Sequence, residues 1–210
     1  MRMKGVFIVF EGGEFSGKTT QAKRFAQYLK EKGFDAILTR EPGGTPEGQK
    51  IRERLLHEKL TAWEELDLFF EDRRIHVAKI IKPSLREGKI VISDRFSPST
   101  IAYQGGGRGL DQELISEKDY AARNGIWPDK IILLDGDPEK LRERAAGRGE
   151  KLANFENLGF DFHSRVRESF LKQARENPNT WCVINALRSI EHVFQEVKAC
   201  VAVLESVNLG

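Results

Sequence analysis

Nine residues, Gly12 to Thr20 (G-G-E-F-S-G-K-T-T), limit what this chain can fold into more than any other stretch. The apolar run Val6-Phe7-Ile8-Val9-Phe10 precedes them and an amphipathic pattern follows. Glycines at 12 and 17 with Lys18 and Thr19 satisfy G-x-x-x-x-G-K-[ST], a loop whose backbone N–H groups wrap a phosphate chain. Such a loop enters a helix N-terminus, where unpaired N–H donors and the positive end of the helix dipole meet the anion. Lys18 then reaches the β- and γ-phosphates, and the Thr19 hydroxyl suits Mg²⁺. Gly13, Glu14, Phe15, Ser16 and Thr20 complete the expected ATP-binding set. A merely flexible glycine-rich turn would need neither the strand before it nor the helix after it.

Short apolar runs alternate with longer helical patterns through the rest of the chain. Strands are predicted at Val6 to Phe10, Ala36 to Thr39, Ile90 to Ser93, Ile131 to Leu134 and Trp181 to Ile184. Helices are predicted near 18–32, 46–57, 64–86, 98–104, 111–124, 138–147, 157–176 and 189–206. Strands without polar alternation, separated by helices, imply an α/β fold: a doubly wound, parallel five-stranded sheet with helices on both faces. At 210 residues and 23.9 kDa the chain suits one domain.

Ligands of such sheets sit at the carboxyl ends of the strands. Polar residues do follow the apolar runs there: Glu11, Arg40-Glu41, Asp94-Arg95 and Asp135. Asp94 is suited to hold a Mg²⁺ water and Arg95 to bridge phosphates through its planar fork. The stretch after them, Phe96 to Gln104, begins a short helix that puts Ser99 and Tyr103 on one face at i,i+4.

Composition removes other classes. A net charge of +2 with 31% charged residues gives no basic surface for nucleic acid. No run of 18 apolar residues occurs, and Met1-Arg2-Met3-Lys4 leads directly into the first strand, so a cytoplasmic protein with no membrane partner is expected. Cys182 and Cys200 have no metal-ligand spacing and make a poor disulfide framework; they are expected to be free core thiols of a reducing compartment.

Taken together, the phosphate loop, R-E-P-G-G-T at 40–45, L-F-F-E-D-R at 68–73, D-R-F-S-P-S-T-I-A-Y-Q at 94–104 with G-G-G-R-G-L after it, and F-D-F-H-S-R-V-R at 160–167 closely resemble thymidylate kinases. These are nucleoside monophosphate kinases that move the γ-phosphoryl group of ATP onto dTMP. The resemblance implies a P-loop NTPase fold with a small lid, at about 145–157 within a single 1–210 domain, Mg²⁺ as cofactor, and a homodimer.

It also implies roles for particular residues. Phe69 and Arg73, four apart on one helix, resemble the ring that stacks on thymine and the guanidinium that donates to its O4. Without the family, Phe69 would be a core residue and Arg73 a solvated charge. Tyr103 resembles the residue that closes against C2′ of the deoxyribose. Ser99 and Gln104 add polar contacts to the base, Arg95 resembles the phosphate clamp, and Glu11 the carboxylate near the acceptor phosphate and sugar. Arg40 belongs to the same dTMP set. No general base is required, because the acceptor phosphate, with a second pKa near 6, is largely dianionic at neutral pH. Catalysis then consists of alignment and charge stabilisation by Lys18, Arg95 and the basic lid, with Arg144 on the ATP side and Arg148 as the catalytic lid cation, aided by Lys151.

Two departures from the family stand out. Phe15 occupies a loop position where relatives carry Gly or a catalytic Arg. The lid motif L-D-R-x-E appears as Leu152-Ala153-Asn154-Phe155-Glu156, without its Asp and Arg. These departures keep open a transfer-deficient nucleotide-binding paralogue, and a related deoxynucleotide or nucleoside kinase is the enzymatic alternative. Gly105 to Gly109 is expected to be a flexible connection.

Overall fold

The computed structural model describes residues 5–147 and 158–208. In chain order the elements are β1 (Val6–Glu11), α1 (Lys18–Glu31), β2 (Ala36–Arg40), α2 (Pro46–His57), α3 (Ala62–His76), α4 (Lys82–Arg86), β3 (Ile90–Asp94), α5 (Ser97–Thr100), α6 (Gln112–Arg123), β4 (Lys130–Asp135), α7 (Pro138–Ala146), α8 (Phe160–Glu176), β5 (Trp181–Asn185) and α9 (Ile190–Asn208). Two π-helical segments, Val77–Ile81 and Ile101–Gly107, extend α3 and α5. The strands form one parallel sheet in the order β2-β3-β1-β4-β5, as expected. β1 is central, and every one of its residues is buried.

Side chains of β1 alternate between two cores, as the two-residue period of a strand requires. Ile8 and Phe10 join Phe25 and Leu29 of α1 and Val197 of α9 on one face. Phe7 and Val9 join Ile81, Phe96 and Phe170 on the other. Helices therefore cover both faces, and β1 needs no polar alternation.

Local signals account for the element boundaries. Thr61 starts α3 through a capping box with Glu64: the Thr61 hydroxyl accepts from the Glu64 N–H, and the Glu64 carboxylate accepts from the Thr61 N–H. The helix thus begins two residues earlier than predicted. Thr45 caps α2 by accepting from the Gly48 N–H, with Pro46 in the first turn.

Two expectations are corrected. The glycine run is not a flexible connection, because Gly105 to Gly107 continue the π-helical turn against α8. A Cβ on Gly106 would lie 2.7 Å from the Ser169 side chain, and one on Gly107 would lie 2.5 Å from the Phe162 ring. The Gly107 carbonyl also accepts from Arg165 at 2.9 Å. Glycine is needed here for close approach, not for mobility. Cys182 on β5 and Cys200 on α9 form a disulfide, not a pair of free thiols; α9 crosses β5 so that their Cα atoms are 6.2 Å apart, within bridging range.

Phe25 ties α1, and with it the phosphate loop, to the sheet: its ring is fully buried beside Phe10 and Tyr28. Phe25→Ala is expected to lower stability by about 3–5 kcal/mol, read as a lower urea midpoint at unchanged slope.

Candidate active site

The phosphate loop takes backbone conformations that its glycines permit. Gly12 has φ 143° and Gly17, the N-cap of α1, has φ 87°. A Cβ at Gly12 would meet the Leu134 carbonyl oxygen at 2.5 Å. Phe15 is also left-handed, at φ 59°, a conformation uncommon for a non-glycine residue. Its ring packs against the core on the α1 side of the sheet. Lys18 is buried, and its ammonium donates to the Gly13 carbonyl at 2.6 Å and the Ser16 hydroxyl at 3.4 Å. Burial and the nearby Arg95 push its pKa down to about 8, against the opposing pull of Glu14, Asp94 and Glu11.

β3 runs beside β1 with Phe10 level with Asp94, which places Asp94 and Arg95 next to the loop. The Thr19 hydroxyl donates to Asp94 Oδ2 at 2.5 Å. A hydroxyl and a carboxylate at this spacing, beside a phosphate-wrapping loop, are a hard-oxygen donor set that fits Mg²⁺. Gly13, Ser16 and Thr20 lie in or directly after this loop, with Thr20 exposed on α1.

Arg95 is the junction between the loop and a cavity lined by Phe69, Arg73, Ser99, Tyr103, Gln104, Glu14 and Arg52. It is left-handed at φ 72°, turning sharply off β3 while its N–H donates to the Phe10 carbonyl at 3.0 Å. Its Nη2 donates to Glu14 Oε1 at 2.7 Å and to the Tyr103 hydroxyl at 3.1 Å; its Nη1 donates to the Ser99 hydroxyl at 3.0 Å and the Gly12 carbonyl at 3.3 Å. The Tyr103 hydroxyl in turn donates to Glu14 at 2.6 Å. Burial would raise the Glu14 carboxyl, but Arg95, Lys18 and Tyr103 outweigh it and hold the pKa at about 2. Tyr103 packs edge-on against Phe162 and Phe170, which fixes its ring.

Several expected placements change in detail. Glu14, grouped with the ATP-binding residues, turns its carboxylate toward Arg95 and the cavity. Glu11 does not line that cavity. It is fully buried and accepts from the Phe96 N–H at 2.9 Å, the Ser99 N–H at 3.2 Å and the Ser99 hydroxyl at 2.6 Å, so it holds the start of α5 in place. Ser99 is thereby drawn to the Glu11 and Arg95 side. Arg40 lines a separate cleft with Thr19, Asp94 and Gln49. Arg144 reaches the phosphate loop: it donates to the Phe15 carbonyl at 3.0 Å and to Ala186 O at 2.6 Å. Arg148, Lys151, Ala153 and Asn154 lie outside the described residues.

Arg73 lines the cavity and is also the hub of a buried charge network. Its Nε donates to Glu41 at 2.9 Å, Nη1 to Asp119 at 2.7 Å and Nη2 to Thr100 at 3.0 Å. Glu41 also pairs with His76 Nδ1 at 2.9 Å, and His76 Nε2 meets the Thr39 hydroxyl at 2.6 Å. Two residues were missed in the sequence. Arg52 of α2 lines the cavity and donates to the Pro42 carbonyl at 3.2 Å, and burial together with Arg40 and Arg95 pushes its pKa down. Arg52 and Arg95 thus bring two guanidiniums to the same cavity. Arg167 of α8 pairs with Asp135 through both oxygens, at 2.8 and 2.9 Å. For Arg52 no sequence signal exists; Arg167 stood inside the quoted F-D-F-H-S-R-V-R stretch.

Two outcomes follow from these buried charges. Burial pushes the Glu11 carboxyl up to about 7, although Arg95, Ser99 and Phe96 favour its ionised form. The native state thus holds a proton that the unfolded chain, with its ordinary value near 4.5, has released. This stabilisation is present in full below pH 4.5 and is lost as pH rises through about 7. Glu11→Gln should flatten that fall, of the order of 3 kcal/mol, in urea titrations at stepped pH. Arg73→Ala takes one partner from each of two buried carboxylates, Glu41 and Asp119, and should lower stability by about 3–5 kcal/mol in the same assay, separately from any loss of nucleotide affinity.

A thymidylate kinase family model matches residues 10–197. The chain is 44% identical over 203 residues to the thymidylate kinase of Maridesulfovibrio salexigens, covering 92% of this chain and 94% of the relative. It is 43% identical over 212 residues to that of Pelotomaculum thermopropionicum, covering 99% and 98%. The crystal structure of thymidylate kinase from Ehrlichia chaffeensis superposes with a TM-score of 0.76 at 38% identity, over 95% of this chain and 98% of that one. With a sheet, a phosphate loop and an adjoining cavity arranged as described, and similarity running almost end to end, the chain belongs to the thymidylate kinase family.

Proposed function

We propose that this protein transfers the γ-phosphoryl group of ATP to dTMP, giving ADP and dTDP for dTTP synthesis. The observation that carries the reading is Arg95, which spans from the phosphate loop to the cavity lined by Phe69, Arg73 and Tyr103. A guanidinium at that junction is placed to bind the acceptor phosphate while the loop holds the donor. Phe69 is positioned to stack on the base, Arg73 to donate to O4 and Tyr103 to close against the deoxyribose, while Arg52 adds positive charge to the same cavity. Mg²⁺, held by Thr19 and through water by Asp94, supplies charge neutralisation on the donor phosphates when bound.

Phosphate bound at Arg95 must take the place of Glu14, which is ionised and already paired there. That exchange leaves Glu14 available to accept from a sugar hydroxyl. The Phe15 side chain supplies no cation, so the developing charge falls to Lys18, Arg95 and the lid residue Arg148, with Arg144 bracing the loop backbone. The same reading carries a single domain with its lid near 145–157, a homodimer and a cytoplasmic location, each resting on the family resemblance and the composition. No helix among the described residues is long and apolar enough to cross a membrane.

A coupled assay with ATP, Mg²⁺ and dTMP tests the activity. Equal turnover of dCMP or thymidine would favour a related kinase, and tight binding of both nucleotides without dTDP formation would favour a paralogue that has lost transfer. Lys18→Ala should reduce turnover at least about tenfold with the fold intact, since among the described residues its ammonium bonds to the loop oxygens of Gly13 and Ser16. A smaller loss in that assay would refute the role given to the loop.

A further inference from the structure

The amide of Gln104 is held from behind. Its Nε2 donates to Glu65 Oε1 at 2.8 Å, and Glu65 Oε2 accepts from Arg108 Nη2 at 3.0 Å. Gln104 is 1% exposed and Glu65 6%. The Arg108 guanidinium also lies 5.6 Å from the Phe162 ring centroid.

The charges set a direction. Both Glu65 oxygens accept, one from Gln104 and the other from Arg108, so Glu65 presents an acceptor to the amide. An amide has one donor end and one acceptor end, so Gln104 must give its NH₂ to Glu65. Its carbonyl Oε1 is then the end left for the cavity that Phe69 and Arg73 also line. Among the described residues, no protein group donates to that oxygen. Arg73, which never accepts, supplies the opposite polarity in the same cavity.

An acceptor and a donor in one cavity complement a carbonyl next to a ring N–H, the O4/N3–H edge of a 4-oxopyrimidine. The N4 amine and N3 lone pair of cytosine oppose them at both points. We infer that Glu65, paired with Arg108, is a specificity-positioning residue: it fixes the polarity of the Gln104 amide and so selects a 4-oxopyrimidine nucleotide over a 4-aminopyrimidine one. Glu65 acts through Gln104 and does not touch the base. The inference rests on the proposal that this cavity takes dTMP. Sites that leave buried polar groups unpaired with the wrong substrate discriminate far more strongly than apolar pockets do.

Glu65→Gln tests it. Arg108 draws the new carbonyl, the new NH₂ faces Gln104, and the Gln104 amide turns over to present its own NH₂ to the cavity. The ratio of kcat/KM for dTMP to that for dCMP should fall at least tenfold, with KM for ATP unchanged. A purely structural role would depress both acceptors together and leave the ratio where it was. Adding Arg108→Gln removes the group that orients the new amide and should restore part of the preference; a further fall would overturn the inference. A wild-type measurement covers the case in which the variants do not fold. The N3 proton of bound ¹⁵N-labelled dTMP should be protected from exchange, and exchange as fast as in the free nucleotide would refute the acceptor. A wild type that turns over no dTMP refutes the function first. An active wild type with an unchanged ratio in folded Glu65→Gln refutes only the role of Glu65.

Discussion

β1 is hydrogen-bonded on both edges, to β3 and β4, and packed on both faces, and every functional contact depends on that confinement. A strand with no free edge and no free face can offer only its carboxyl end to a ligand. The phosphate loop leaves from that end. Parallel pairing then brings the ends of the neighbouring strands to the same level, which delivers Asp94 and Arg95 on one side and Asp135 on the other. Reaction chemistry gathers here because parallel strands all finish at one rim.

The second organising feature is charge buried in pairs. Arg73 with Glu41 and Asp119 is almost wholly out of water, Arg95 with Glu14 is partly buried, and Glu65 is buried beneath a more exposed Arg108. Such pairs are weak devices for stability, since desolvation offsets most of the attraction. Their value lies in direction. A buried guanidinium cannot reorient without stranding its partners, so donors aimed at a ligand are already in place before it arrives. Glu11 shows the opposite arrangement: fully buried, it lies among donors that hold it in place, yet desolvation still favours its protonated form near neutral pH.

Phe15 shows how a chain can depart from its family without disturbing the loop. Its left-handed backbone keeps the loop's course, and its ring packs against the core on the α1 side. The nearby cation comes from Arg144, which binds the loop's carbonyl and that of Ala186 at once. This bracket links the phosphate loop, the end of α7 and the turn after β5 through one side chain.

The amino-acid sequence by itself determined the fold class, the five strands, the phosphate loop and the strand-end residues Asp94 and Arg95, because each is written in consecutive residues. Apolar runs, glycine spacing and the order of strand, loop and helix are local properties, and the rim of a parallel sheet follows from them. Tertiary structure alone decided which side chains meet. Arg52 enters the cavity from α2, Arg40 turns to a different cleft, Glu11 goes under the site and Glu14 into it, and Cys182 finds Cys200. Periodicity assigns a residue to a face but not the neighbour that the face will meet. Burial of Arg73 and Glu65 was illegible for the same reason: a charge is placed in a core only when its partner arrives from another element, here Asp119 of α6 and Arg108 beyond the glycine run. Glycines 105 to 107 looked like slack chain because nothing local distinguishes a glycine needed for motion from one needed for contact; that difference exists only once α8 lies against them.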